Sequence, residues 1–359
     1  MLQYILKKLL YSLLVIWGVI TLIFILFNVI PGDPARMVLG QRSDSASLAI
    51  ARKDLGLDQS LAIQYVKYLN DLSPLSIHNR INVNSYFYYN TNNYTHSFPI
   101  LRAGNKIIVL KAPYLRRSYQ SKKGVSEILF EALPNTLLLA TVAILFAFIV
   151  GIVFGIFSAL NRDSWYDKSL MALASLGVSL PSFFAAIIVA WLFAYVLANY
   201  TGLNLTGNFV ELDDMGNGVS IHWKNIILPA FTLGIRPLSV AVQLSRSSLL
   251  DVLSQDYIRT ARAYGASTFT IIWKHALKNS LNPVITSLSG WFASMMAGVV
   301  FIEYIFGWKG LGYVIVNALN NYDVPLVMGA VIIISMIFVV VNILVDICYT
   351  WLDPRVKLN

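Results

Sequence analysis

Long apolar runs alternate with polar stretches along this chain, and they predict its architecture. The runs extend over Leu9 to Ile30, Leu137 to Leu160, Leu170 to Ala198, Ile226 to Leu244, Val284 to Phe301 and Leu326 to Trp351. A helix needs about 20 apolar residues to cross a bilayer, so the pattern predicts six spans. Lys7 and Lys8 precede the first run, which exceeds the apolar core of a secretory signal and has no small-residue cleavage site after it; it reads as a retained span. Pro181 predicts a kink in the third span. Ala147, Gly151, Gly155 and Ala159 recur every four residues in the second span, as do Gly290, Ser294 and Gly298 in the fifth. Small residues at that spacing let helices approach closely in lipid.

Two polar interruptions depart from simple loops. Leu253 to Pro283 keeps helical periodicity, with Tyr257, Ala261, Tyr264 and Gly265 on one face of a first short helix and Phe269, Ile272, Trp273 and Ala276 on one face of a second. Arg259, Arg262, Lys274, His275 and Lys278 fall near the opposite sides. Short amphipathic helices between spans make a docking surface, and Ala261 and Gly265 remove bulk for a close approach. The other interruption, Ser73 to Ala112, is rich in Asn, Tyr and Ser. Alternation over Lys106 to Lys111 predicts a small β-rich excursion, read either as a surface loop or as a Tyr-rich contact for a partner outside the membrane.

Composition agrees: hydrophobic residues make up 57% of the chain, charged residues only 13%, and the mean hydropathy is +0.64. The net charge of +9 does not point to nucleic acid, because the cations sit at span ends and in one long loop. The short loops on the side of the termini carry Lys7, Lys8, Arg162, Lys168, Arg246, Arg259, Arg262, Lys274, Lys278, Arg355 and Lys357, against Lys224 and Lys309 on the other. The positive-inside rule therefore predicts both termini and the Leu253 to Pro283 loop in the cytoplasm. The single Cys348 excludes a disulfide framework, His78, His96, His222 and His275 lack metal spacing, and no phosphate-cradling Gly-rich loop or hydrolase motif occurs. The chain reads as a non-enzyme that binds no cofactor itself. Three ionisable residues fall at membrane depth. Arg236 either lines a substrate path or pairs with Glu303 or another subunit; Glu303 is a second path candidate or an interfacial residue; Asp346 reads as structural.

Arg259-Thr260-Ala261, Arg262-Ala263-Tyr264 and Gly265 resemble the Glu-Ala-Ala, three residues, Gly signature of permeases of binding-protein-dependent ABC importers, matching it at Ala261 and Gly265. With KHALKNSLNPV after it, the loop is most similar to the dipeptide and oligopeptide branch. Pro31-Gly32-Asp33-Pro34, LGLDQSLAIQYVKYLNDL, ILPAFTLG, the aromatic-Gly-Leu-Gly element with its following Asp-x-Pro, and Asp353-Pro354-Arg355 extend the resemblance over nearly all of the chain except the insert. It implies an all-α polytopic type I permease fold of six transmembrane helices: a first helix at 1–34, an extracytoplasmic loop domain at 35–131 with its insert at 73–112, and a five-helix core at 132–352 with a coupling loop at 246–283. It implies coupling residues Asp256, Tyr257, Arg259, Thr260, Ala261, Arg262, Gly265 and Ala266. The implied partners are a second homologous permease, cytoplasmic ATPase subunits holding ATP and Mg, an extracytoplasmic substrate-binding protein and lipid, in a bacterial inner membrane. Nickel, glutathione or another small solute is an alternative cargo. An ion-coupled secondary transporter is the alternative class; it predicts repeated halves with broken helices, which the sequence lacks.

Overall fold

A computed structural model describes residues 2–29, 44–54, 56–83, 85–91, 93–94, 97–212 and 218–352. Pro31-Gly32-Asp33-Pro34, His96 and Asp353-Pro354-Arg355 lie outside these residues. The first elements are α1 (Leu2–Val29), α2 (Ser45–Asp54), α3 (Leu61–Leu72), β1 (Leu75–Asn79), β2 (Ser97–Ala103), β3 (Lys106–Lys111), α4 (Val125–Leu160), α5 (Trp165–Ser179) and α6 (Ser182–Val189), which a π-helical stretch (Ala190–Val196) prolongs. There follow α7 (Ala198–Thr201), the hairpin of β4 (Val210–Leu212) and β5 (Val219–Ile221), α8 (Lys224–Leu253) and α9 (Asp256–Ala263). The last are α10 (Thr268–Thr270), a second π-helical stretch (Ile271–Ala276), α11 (Leu277–Ile305), α12 (Leu311–Asn320) and α13 (Val324–Leu352).

Among the described residues four helices are long and apolar enough to cross a membrane: Leu10–Asn28, Val125–Leu160, Lys224–Leu253 and Val324–Ile347. Two bent pairs bring the number to six when each is counted as one span. The third run is corrected from a kinked helix to two helices that meet at 113°. Pro181 has no N–H to give and drives Leu180 out of the helical region, to ψ 129°, so the chain breaks instead of bending. The second span starts earlier than its apolar run, at Val125, because the fully buried Val125 and Leu129 hold its first turns and Pro134 is carried inside the helix. The fourth runs past Leu244 to Leu253, with Leu249 1% exposed.

The chain divides into two compact units. One comprises Leu13–Glu131 with Ile315–Ser335. Here α3 lies against α1: the Thr21 and Tyr65 hydroxyls are 2.7 Å apart, and the Phe24 ring sits 5.1 Å from Tyr65 and 5.8 Å from Tyr68. The strands form an antiparallel sheet of order β1-β3-β2, and β3 falls on Lys106–Lys111, where the alternation predicted it. Ser76, His78, Ile107, Val109 and Lys111 are buried on one face of that sheet. Asp71 is the acid at the centre of this core, 2.5 Å from Lys67 and 2.8 Å from the Tyr94 hydroxyl, with Arg116 at 3.7 Å. The Lys111 ammonium donates to the backbone carbonyls of Asp71 and Ser73; burial pushes its pKa down to about 8, against the pull of Asp71. At the other end of this unit Asp323 accepts from Ser118 Oγ and the Tyr119 amide, fixing the turn before α4.

His78 gives this sheet a pH limit. It is 1% exposed, bonded through Nε2 to Ser76 Oγ at 2.9 Å, and its Nδ1 has no partner among the described residues. Burial, then the charge of Lys67, pushes its pKa from 6.5 to about 4. The folded pKa lies below the unfolded one, so the unfolded state takes the proton first; stability is complete above about pH 6.5 and is lost as pH falls toward 4. Amide exchange of β1, corrected for its intrinsic pH dependence, should accelerate about tenfold or more by pH 5. His78→Asn should flatten that dependence; an unchanged profile would remove His78 as its cause.

The other unit comprises Met1–Ser12, Ala132–Val314 and Met336–Asn359. Its largest core gathers Leu139, Ala143, Leu233, Val299, Ile302 and Trp308 from α4, α8, α11 and the turn after it. The first predicted glycine stripe is a packing seam: a Cβ on Gly151 would stand 2.4 Å from that of Ala241, and one on Gly155 2.3 Å from that of Ser245. The second stripe has no neighbour among the described residues, since a Cβ on Gly290 or Gly298 would meet nothing within 4 Å and Ser294 is exposed. Lys8 and Asp346 form an ion pair, which brings the start of α1 and the end of α13 to the same side.

Candidate functional site

The polar loop of the second half is built outward from a buried apolar knot. Ala159, Leu249, Ile258, Ile271 and Ala276 form a core, with Ala261 and Ala266 packed partly against it. Ile258, which is fully buried, turns α9 so that Tyr264 points outward at 86% exposure, while the half-exposed Tyr257 accepts from Asn279 Nδ2 at 3.0 Å. The predicted face is thereby corrected: Ala261 looks inward, Tyr257 reaches the start of α11, and Tyr264 looks out. Gly265 is not within α9; it follows the helix end with φ +80°, its amide bonded to Arg262 O at 2.9 Å, a left-handed position that favours glycine. Asp256 meets Arg259 at 3.2 Å on the surface, Thr260 Oγ1 bonds back to Asp256 O, and Arg262 is exposed.

The second predicted short helix is also corrected. Thr268 to Ile305 is helical throughout, so this segment is the leading end of the fifth span, with Pro283 carried inside it. A π turn over Ile271–Ala276 lets Ile271, Ile272 and Ala276 all reach the core. Phe269 and Trp273 do not share that burial; they are 71% and 58% exposed, with ring centroids 6.0 Å apart. Tyr264, Phe269 and Trp273 thus present large apolar side chains outward from a buttressed base.

Sequence reasoning missed the device that sets the base. Asp167, 2% exposed, receives Arg246 Nε and Nη2 at 2.6 Å each, together with Ser158 Oγ and the Asp163 amide. This fork ties α8 to the first turn of α5 just before α9. The signal was present: Ser164, three residues before Asp167, caps α5 and marks Asp167 as a first-turn acid.

Neither ionisable path candidate meets the other. Arg236 is exposed, with its guanidinium 5.4 Å from the Trp291 ring centroid, and it makes no pair with Glu303. Glu303 is 0% exposed and is corrected from a path or interfacial residue to a structural clamp. Its carboxylate accepts from Thr136 Oγ1 at 2.7 Å and from the Gly312 and Tyr313 amides at 2.6 and 3.3 Å, pinning the segment after α11 onto α4. The Gly-Leu-Gly element makes the space: a Cβ on Gly310 would lie 2.1 Å from Glu303 Oε1. Among the described residues no three His, Cys, Asp or Glu side chains gather as metal ligands.

Residues 151–358 match the family described as the binding-protein-dependent transport system inner membrane component, and residues 1–77 match its N-terminal companion family. A dipeptide transport system permease protein of Alkalihalophilus pseudofirmus is 31% identical over 99% of this chain and 100% of its own. A glutathione transport system permease protein of Salmonella paratyphi A is 30% identical over 99% of each, and a putative peptide transport system permease protein of Brucella abortus 34% identical over 98% of each. Among solved structures, the inward-facing MetNI methionine ABC transporter shares the fold, with a TM-score of 0.50 at 14% identity over 63% of this chain and 97% of that one. The chain therefore belongs to the family of inner-membrane components of binding-protein-dependent transport systems, the permeases of ABC importers.

Proposed function

We propose that this permease imports short peptides, and that Tyr264, Phe269 and Trp273 are its contact with a separate cytoplasmic ATPase. The observation that carries this reading is the outward aromatic surface on a rigidly buried base: such side chains are costly to leave in water and act as anchors in a partner's cleft. Asp256, Arg259, Thr260 and Arg262 would form its polar rim. The ion pair of Lys8 and Asp346 joins the start of α1 to the end of α13, and the basic short loops favour the cytoplasm as the side of that pair. The open stripe of Gly290, Ser294 and Gly298 suits close contact with a second permease. Arg236, exposed beside Trp291, would face the path between the two and attract a peptide carboxylate. The dipeptide, peptide and glutathione relatives favour a peptide cargo, glutathione being itself a small peptide.

Phe269→Asp and Tyr264→Asp test the contact better than a change at Gly265, where any side chain would also strain the backbone. Neither side chain belongs to the core, so both variants should melt like wild type. Each should lower ATPase recovery in co-purification, with an affinity loss of about 30-fold or more. Normal recovery would remove the aromatic surface from the interface. ATP-dependent uptake of labelled dipeptides and tripeptides into vesicles holding the whole complex tests the cargo; uptake of nickel but no peptide would overturn it.

A further inference from the structure

Among the described residues, the outer face of the β1-β3-β2 sheet has no partner. Its register aligns Leu75, Leu110 and Phe98 in one cross-strand row and Ile77, Ile108 and Leu101 in the next. Five of these six are exposed, Phe98 at 71% and Leu75 at 58%, and Ile108 is partly buried beneath them. The following row carries Asn79, Lys106 and Ala103, so an ammonium stands on the same face as the apolar rows. Arg80 flanks that end of the sheet and is exposed, whereas Arg102 pairs with Ile107 on the opposite face. From Ser73 to Ala112 there is no Asp or Glu at all.

The depth of the sheet follows from what holds it. Tyr65 and Tyr68 of α3 touch Thr21 and Phe24, which precede Asn28, the end of the first apolar stretch. At 1.5 Å per residue, α3 lies roughly 6 to 10 Å inside the end of that span. Asn70, at the end of α3, holds the edge of β1: its side chain donates to Ile77 O at 3.0 Å and accepts from Ile77 N at 2.9 Å. The sheet is thus anchored to a helix that meets the first span just inside its apolar end. We propose that its outer face rests on the bilayer, with the two apolar rows among the upper acyl chains and Lys106 and Arg80 on the phosphates of anionic lipid. Six side chains are far fewer than the roughly 20 residues a side of a stable protein interface, whereas an interfacial element needs only an apolar face and a basic edge. This inference rests on the first helix spanning the membrane and not on the cargo or the ATPase contact.

The test uses the full chain in lipid nanodiscs. In a Cys348→Ser background, Ile77→Cys or Phe98→Cys carries an environment-sensitive fluorophore, and phosphatidylcholine is doped with phosphatidylglycerol and with lipids spin-labelled high on the acyl chain. Both labels should be quenched at least about twofold by the shallow spin label, more strongly as phosphatidylglycerol is added. Exchanging Arg80 and Lys106 for glutamine should abolish that lipid preference. In the unlabelled wild type, β2 amides should exchange at least fivefold more slowly in these nanodiscs than in a lipid-free polymer belt. Labels open to aqueous iodide and untouched by the spin label, with equal exchange in both settings, would overturn the proposal. So would shielding that occurs only when an extracytoplasmic binding protein is added, which would make the face a protein contact.

Discussion

Glu303→Ala is expected to lower the stability of the purified permease by about 4 kcal/mol, the largest loss for any single side chain described here. The carboxylate takes Thr136 Oγ1 and the amides of Gly312 and Tyr313, in a pocket with no exposure. Truncation leaves two buried amides without acceptors and opens a cavity beside Gly310, and each orphaned donor costs about 1 to 3 kcal/mol. Glu303→Gln keeps the volume and one acceptor, so it should lose about half as much. The measurement is the thermal midpoint in mild detergent, followed by uptake per folded molecule. An alanine variant that melts normally yet fails to transport would return Glu303 to the substrate path.

Arg246→Ala should be nearly as costly, about 3 kcal/mol or more, because it strands a charge. Asp167 is 3% exposed along its side chain and would keep only Ser158 and one backbone amide. Removing one partner of a buried pair is far worse than replacing both. Arg246→Leu combined with Asp167→Leu should therefore recover part of the loss, and a double-mutant cycle would read the coupling directly. Strictly additive losses would show that the fork contributes little. Because the fork sits just before α9, Arg246→Ala should also loosen the aromatic surface and reduce ATPase recovery beyond what destabilisation explains.

How much of this was legible in the sequence differs from element to element. The first and last spans could be read directly, since uniform hydropathy over Leu10–Asn28 and Val324–Ile347 leaves no competing fold. The strand at Lys106–Lys111 could be read from its alternation, but the pairing of β1 and β2 with it is long-range and left no local mark. The end of α8 was misread because Ser245, Arg246 and Ser247 look like a loop, while the buried Leu249 beyond them is held by tertiary contact. In the coupling loop, helical periodicity found two apolar faces but not which one meets the chain's own core. Ile258 decided that, and its burial depends on Leu249 and on Ala159, the latter far away in sequence. The Glu303 site was hidden for a different reason. Its partners are mainly backbone amides, which every residue offers, and only the glycines that make room for the carboxylate show in the letters.

The π turn has a mechanical consequence. Because the helix is continuous from Thr268 to Met296, Phe269 and Trp273 sit on the short arm of a rigid lever whose long arm is the fifth span. With the knot around Ala276 as fulcrum, the long arm to Met296 is roughly 30 Å at 1.5 Å per residue, so a tilt of about 5° at the aromatic end becomes a stroke of about 3 Å at the far tip. A partner that gripped the two rings of Phe269 and Trp273 would need no hinge in the permease to move the distant end of this helix.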